Sequence, residues 1–186
     1  MWGESLAVEG SSDLFAIPYN DKVHDIFHTF HDDILIASKG EKSVSSTAGH
    51  ALMDGNIYSD NRYRQANQRL QQLLSALETG DLEAFGRIAE GEALTLHALM
   101  MTSYPPYILM RPNTLSMIEE LWAFRKETHL PVYFSLDAGP NLHLLYPDNI
   151  KAPVSAFIKE RLLPLCENGE MIADKVGAGP LELNSK

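Results

Sequence analysis

Two consecutive amphipathic helices constrain the fold of this chain more than any other feature. Between Asn56 and Tyr104, apolar residues recur with the three- and four-residue spacing of helices that bury one face. Thr79-Gly80-Asp81 divides the stretch, since glycine ends a helix and aspartate caps the next one. So short a connection predicts an antiparallel pair. The expected buried stripes are Tyr63, Ala66, Leu70, Leu73, Leu74 and Leu77 in the first helix, and Leu82, Phe85, Ala89, Ala93, Leu96 and Met100 in the second.

Short runs of β-branched and aliphatic residues predict strands. One buried strand is expected over Asp33–Ser38, and a hairpin over Pro131–Asp137 and Asn141–Tyr146, turning at Ala138-Gly139-Pro140. Gly169–Val176 is a weaker final strand. Two more helices are expected, from behind Pro112-Asn113 to about His129 and over Val154–Leu163. Because strands and helices mix without a regular βαβ alternation, the predicted class is α+β.

Composition excludes several kinds of partner. The net charge is −10 and the basic residues are scattered, which argues against nucleic acid, because phosphate backbones are bound by clustered Lys and Arg. No apolar run approaches the roughly 20 residues that span a bilayer, so no membrane partner is expected. The single Cys166 cannot form an internal disulfide, which favours a reducing compartment. We therefore expect a cytoplasmic protein in which Cys166 is structural.

The segment Lys42-Ser43-Val44-Ser45-Ser46-Thr47 is predicted to begin a helix. Unpaired backbone N–H groups and the helix dipole attract anions there, and hydroxyl groups add donors. Ser45 and Ser46 could hold a phosphate or diphosphate, with Lys42 supplying a positive charge. Plain N-capping explains the same residues.

Asp137 is the candidate reaction-centre carboxylate. Alternation places it on the strand face of Tyr133 and Ser135, where a hairpin would aim it into a cleft and let it accept a proton from a substrate hydroxyl. The alternative is a turn former whose carboxylate caps local amides.

The histidines are interpreted as structural. His97 lies one step off the expected buried stripe, and a lone histidine there is more often a hydrogen-bonded packing residue than a catalyst. His24, His28 and His31 are close in sequence, but no Glu or Cys supplies a third metal ligand at a recognisable spacing. We therefore predict no metal site.

Three segments in order resemble the diphosphomevalonate decarboxylase family of the GHMP kinase superfamily. They are Lys42-Ser43-Val44-Ser45-Ser46-Thr47-Ala48-Gly49, His97-Ala98 with Tyr104-Pro105-Pro106, and Tyr133-Phe134-Ser135-Leu136-Asp137-Ala138-Gly139-Pro140-Asn141. The resemblance implies a C-terminal-type α+β domain, an antiparallel sheet packed against helices, over residues 32–186. Residues 1–31 would be a remnant of the N-terminal half or a linker.

The resemblance also implies a reaction. ATP, with Mg²⁺, would phosphorylate the tertiary hydroxyl of diphosphomevalonate, and loss of phosphate would drive decarboxylation to isopentenyl diphosphate. Asp137 would face that hydroxyl, while Ser45, Ser46 and Lys42 would bind the substrate diphosphate. The family's glycine- and serine-rich phosphate loop is absent from this sequence, so we expect no turnover from the chain alone. A related kinase such as a mevalonate kinase, a non-catalytic module that binds phosphorylated metabolites, and a homodimer stay open.

Overall fold

The computed structural model describes residues 1, 3–5, 7–40, 55–177 and 179. Within them an antiparallel sheet packs against helices, which confirms the α+β class. The strands are β1 Phe30–Leu35, β2 Tyr133–Leu136, β3 Leu142–Pro147 and β4 Met171–Ile172. The helices are α1 Ser59–Thr79, α2 Leu82–Met101, α3 Pro112–Thr128 and α4 Lys151–Phe157, which continues as a π-helical turn over Ile158–Leu162. The predicted helix start at Ser43–Thr47 lies outside the described residues.

The strand order is β2-β3-β1-β4, with antiparallel neighbours throughout. The predicted hairpin is confirmed as β2 and β3, in which Ser135 lies opposite His143. β1 begins three residues earlier than predicted and ends at Leu35. The polar side chains of its first half concealed its alternation, because His31 and Asp33 are buried while Asp32 is only partly covered.

The two faces of the sheet differ sharply. One face packs against α3, α4 and the segment after it, and its strand residues are almost fully buried; they are Leu35, Phe134, Leu136, Leu142, Leu144 and Tyr146. The opposite face carries Asp32, Ile34, Ser135, His143 and Leu145, all only partly covered. Asp137 follows the second face in the alternation of β2.

The turn between α1 and α2 was predicted correctly. Gly80 ends α1 in the left-handed conformation at φ 76°, and the Asp81 carboxylate caps α2 by accepting from the Ala84 N–H at 2.9 Å. The buried stripe of α2 was predicted only in part. Ala93 and Met100 are buried, whereas Leu82, Phe85, Ala89 and Leu96 are partly covered.

The buried face of α2 instead includes Gly86, Glu90 and His97. These residue types are buried because each has a specific neighbour: the Tyr133 ring lies against Gly86, and Arg125 and Trp122 donate to the Glu90 carboxylate. Periodicity of apolar residues cannot reveal such positions.

Cys166 and the lengths of the helices bear on two further expectations. Cys166 is buried, donates weakly to the Leu162 carbonyl and has a pKa raised by burial, in agreement with a structural thiol. No helix among the described residues has the length and apolar content to cross a membrane.

Candidate functional site

Asp137 lies one residue beyond β2 and is exposed to solvent. Its backbone carbonyl accepts a hydrogen bond from Nε2 of His97, 3.1 Å away on α2. His97 is only 1% exposed, and desolvation lowers its pKa, although the contact and the charge of Asp137 oppose that shift. A neutral His97 with its proton on Nε2 therefore anchors the backbone that carries Asp137. His97 is the expected hydrogen-bonded packing residue, but it lies on the buried face, not beside it.

The turn after Asp137 is fixed from two other directions. The hydroxyl of the fully buried Thr114, in the first turn of α3, donates to the Pro140 carbonyl at 2.6 Å. The Asn141 side chain accepts from the Ser38 N–H at 3.2 Å, which ties the hairpin to the chain just after β1. Three different parts of the fold thus hold this turn, the arrangement that a catalytic side chain needs for a defined position.

A carboxylate and an imidazole pair on the same face of the sheet. Nδ1 of His143 lies 2.9 Å from Oδ1 and 3.2 Å from Oδ2 of Asp32. The hydrogen bond to Asp32 is the main reason that the pKa of His143 is raised, and the negative charge of Asp137 adds to the shift. His143 lies opposite Ser135, two residues before Asp137 in β2. The face therefore brings a histidine with a raised pKa near the exposed carboxylate of Asp137.

Sequence reasoning missed Asp32 and His143. Asp32 stood outside the predicted strand, and its partner is 111 residues away, so only the strand register brings the two together. Alternation in the predicted hairpin offered a signal, because buried Leu142 and Leu144 leave the intervening His143 on the other face.

The comparisons with known proteins agree with this architecture. Residues 33–184 match the family model for the mevalonate 5-diphosphate decarboxylase C-terminal domain. The chain belongs to this family. Diphosphomevalonate decarboxylase of Schizosaccharomyces pombe is 24% identical over 157 residues, which are 82% of this chain and 38% of that protein. Phosphomevalonate decarboxylase of Haloferax volcanii is 26% identical over 114 residues, 61% of this chain and 35% of that one.

Solved structures of the decarboxylase family share the fold. Mevalonate pyrophosphate decarboxylase from Streptococcus pyogenes superposes with a TM-score of 0.74 at 26% identity, covering 87% of this chain and 48% of that one. MDDEF in complex with MVAPP, AMPPCP and magnesium gives the same TM-score at 23% identity, covering 89% of this chain and 50% of that one. This chain therefore spans about half the length of these structures and less of the two relatives in sequence.

The structure brings none of the other candidate residues that it describes to Asp137. Lys42, Ser45 and Ser46 lie outside the described residues, so their role in this decarboxylase domain stays a prediction. Nδ1 of His24 accepts from the Ile26 N–H in a 3₁₀ turn, while His31 pairs with Asp148 from within β1. Within the described ranges, no three His, Cys, Asp or Glu side chains are grouped as a metal site.

Proposed function

We propose that this chain is the substrate-binding domain of an ATP-dependent decarboxylase that converts (R)-5-diphosphomevalonate to isopentenyl diphosphate. The family match over residues 33–184 carries the proposal. The position of Asp137 supports it, because an exposed carboxylate on a rigid turn can meet a substrate hydroxyl without reorganisation.

Asp137 is assigned to the tertiary hydroxyl of the substrate. The hydroxyl oxygen attacks the γ-phosphorus of ATP while its proton passes to the carboxylate, and ADP leaves. The new phosphate ester then departs with the C–O bonding electrons. Carbon dioxide is lost, and the electrons of the broken carbon–carbon bond form the double bond. The carboxylate also stabilises positive charge at the carbon from which phosphate departs.

Lys42, Ser45 and Ser46 are assigned to the substrate diphosphate. The contact between Ser38 and Asn141 supports this assignment, because it anchors the chain four residues before Lys42 beside the turn that follows Asp137. ATP is the second substrate, accompanied by Mg²⁺. The described residues do not provide a set of ligands for the metal, so none is assigned to it and no step is routed through it.

Ligand binding to the chain itself tests the assignment of Ser45 and Ser46 to the substrate diphosphate. We expect saturable binding of diphosphomevalonate in a calorimetric titration, and a large loss of affinity in the Ser45→Ala, Ser46→Ala double variant. Unchanged affinity would refute the diphosphate assignment. Phosphomevalonate serves as the second ligand, since the Haloferax relative is a phosphomevalonate decarboxylase. Tighter binding of the monophosphate would change the proposed substrate.

The proposed role of Asp137 in the reaction is tested by measuring turnover. In an assembly that joins this chain to a nucleotide-binding half, Asp137→Asn should lower kcat for carbon dioxide release by roughly 10²- to 10⁴-fold. Asp21→Asn is the matched control, because Asp21 is exposed in a 3₁₀ turn near the N-terminus and accepts from its neighbour Asn20. A variant at Asp137 that keeps full activity would remove the carboxylate from the mechanism.

A further inference from the structure

A cavity with both apolar and charged lining residues lies on the face of the sheet opposite Asp137. It has a volume of about 610 Å³ and is lined by side chains of β1, β3, α4 and the segment around β4. This volume falls within the range of small-molecule sites, roughly 300–1,000 Å³. The strand register separates it from the proposed active site, since Asp33 and Tyr146 point away from the face that carries Asp32 and His143.

The floor of the cavity is polar and pre-organised. The Tyr146 hydroxyl donates to Oδ2 of Asp33 at 2.5 Å, and the His31 ring stacks on Tyr146 with a centroid separation of 4.9 Å. Nε2 of His31 is bonded to Oδ1 of Asp148 at 2.8 Å. Tyr146, Asp33 and His31 are 1%, 4% and 5% exposed, so this network is built into the fold.

The side-chain carboxylate of Asp33 can accept further hydrogen bonds. A buried carboxylate has about four lone-pair sites and is stable only when donors reach it. Among the described residues, Tyr146 supplies the one hydrogen bond to the Asp33 side chain, and it reaches Oδ2. Because Asp33 also lines the cavity, Oδ1 can accept from a hydroxyl group of a bound molecule.

The walls of the cavity carry positive charge. Lys151, Ser155 and Lys159 follow one another at four-residue spacing along α4 and its π turn, and all three line the cavity. Lys175 also lines the cavity, and its backbone pairs with that of His31 in β1. None of these three lysines forms an ion pair with a described carboxylate.

Lys151 and Lys175 both lie close enough to the Asp148 carboxylate to affect its charge. The pKa of Asp148 is lowered mainly by its hydrogen bond to His31, and the positive charges of Lys151 and Lys175 lower it further. Asp174 also lines the cavity, so the rim is not uniformly basic. The π turn is a second sign of a built site, since such turns are rare and occur frequently at functional sites.

We propose that this cavity binds a small phosphorylated alcohol, with the phosphate among Lys151, Lys159 and Lys175 and a free hydroxyl group donating to Asp33. The apolar side chains of Ile158, Leu163 and Met171 line the space between and contact the carbon skeleton. The site does not depend on the proposed decarboxylase activity.

Glycerol 3-phosphate is the probe, titrated into the chain and followed by calorimetry and by NMR of the Ile158, Leu163 and Met171 methyl groups. We expect saturable binding that is tighter than that of inorganic phosphate. The Lys151→Met, Lys159→Met double variant should bind roughly three- to tenfold more weakly. Lys126→Met, at an exposed position in the last turn of α3, is the matched control and should bind as the parent does.

The hydroxyl contact has its own variant. Asp33→Asn should reduce the preference for glycerol 3-phosphate over inorganic phosphate, because a neutral amide oxygen is a weaker acceptor than the carboxylate. If that variant does not fold, the double lysine variant still tests binding in the cavity, since the exposed Lys151 and Lys159 tolerate replacement.

Three outcomes would overturn the proposal. They are binding that does not saturate, equal affinity in the double lysine variant, and methyl shifts confined to other parts of the chain. Sedimentation with vesicles of phosphatidylcholine and phosphatidic acid, lost in the double variant, would instead assign the site to a lipid headgroup. The Ser45→Ala, Ser46→Ala variant should bind glycerol 3-phosphate normally, which separates this site from the proposed function.

Discussion

His97 and His143 both lie near Asp137, but their pKa values are shifted in opposite directions. His97 is buried, so desolvation lowers its pKa, whereas His143 bonds to a partly exposed aspartate, so its pKa is raised. The neutral form of His97 therefore holds the backbone of Asp137, while His143, near the Asp137 side chain, stays protonated to a higher pH than an ordinary histidine.

The Asp32→Asn variant tests why the pKa of His143 is raised. Without the carboxylate, the pKa of His143 should fall towards its usual 6.5, measured by NMR titration of the ring. Because the folded-state pKa is raised, the pair stabilises the protein below the unfolded pKa, and this contribution is lost as the pH rises through the folded value. With both groups partly exposed, the variant should lose about 0.2–1 kcal/mol at about pH 6, just below the usual histidine pKa. Equal titration midpoints in parent and variant would contradict the pairing.

His97→Phe tests the anchor of Asp137. An aromatic ring is retained, but the hydrogen bond from His97 to the Asp137 carbonyl is lost, so we expect a loss of about 1–3 kcal/mol in urea unfolding. The lowered pKa means that the unfolded state takes up a proton first, so the parent loses stability as the pH falls below about 6.5. The variant should lack this component. His28→Phe, at an exposed position, is the control and should unfold with the pH dependence of the parent.

At the scale of elements, α2 can lie against β2 only because Gly86 has no side chain. A Cβ added at Gly86 would overlap the ring of Tyr133, which is itself buried beside Phe85 and Arg125. Tyr133 opens the strand that ends just before Asp137, so this contact sets how the helix with His97 meets the turn.

Gly86→Ala should therefore destabilise the chain by about 1–3 kcal/mol through overpacking, despite the better helix propensity of alanine. Gly91→Ala on the same helix is the matched control. Its Cβ would lie 2.9 Å from Nη1 of Arg69, the movable end of a long side chain, so the variant should be neutral or slightly stabilised. Chemical denaturation of both variants measures the difference, and equal unfolding midpoints would disprove the close approach.

The sequence predicted those elements whose signals are local. Helix periodicity, the Gly80-Asp81 cap and the hairpin around Gly139 each depend on neighbouring residues, and each is found in the structure. β1 was misplaced because buried His31 and Asp33 have partners more than 100 residues away. The pairs Asp32–His143 and Gly86–Tyr133 were missed because their members also lie far apart in the sequence and meet only in the fold. Asp137 was proposed from motif resemblance, and the residues that hold its turn could be identified only from the fold.

At the scale of the whole molecule, the sheet divides two proposed anion sites. Ser45 and Ser46 are assigned to the side of Asp137, and the lysine-lined cavity lies behind the opposite face. A packed sheet layer is about 10 Å thick, and sites separated by more than roughly 7–10 Å without shared partners are usually independent in energy.

Thermal unfolding should therefore resolve two additive stabilisations. A ligand present at 100 times its Kd stabilises the folded state by about 2.7 kcal/mol, and each kcal/mol raises the Tm of a chain of this size by roughly 2–4 °C. Diphosphomevalonate and glycerol 3-phosphate together should shift the Tm by the sum of their separate shifts. The Ser45→Ala, Ser46→Ala variant should lose the first shift alone, and Lys151→Met, Lys159→Met the second alone. If either ligand at saturation removes the shift caused by the other, the two compete for one site and the division of the sheet into two binding faces is wrong.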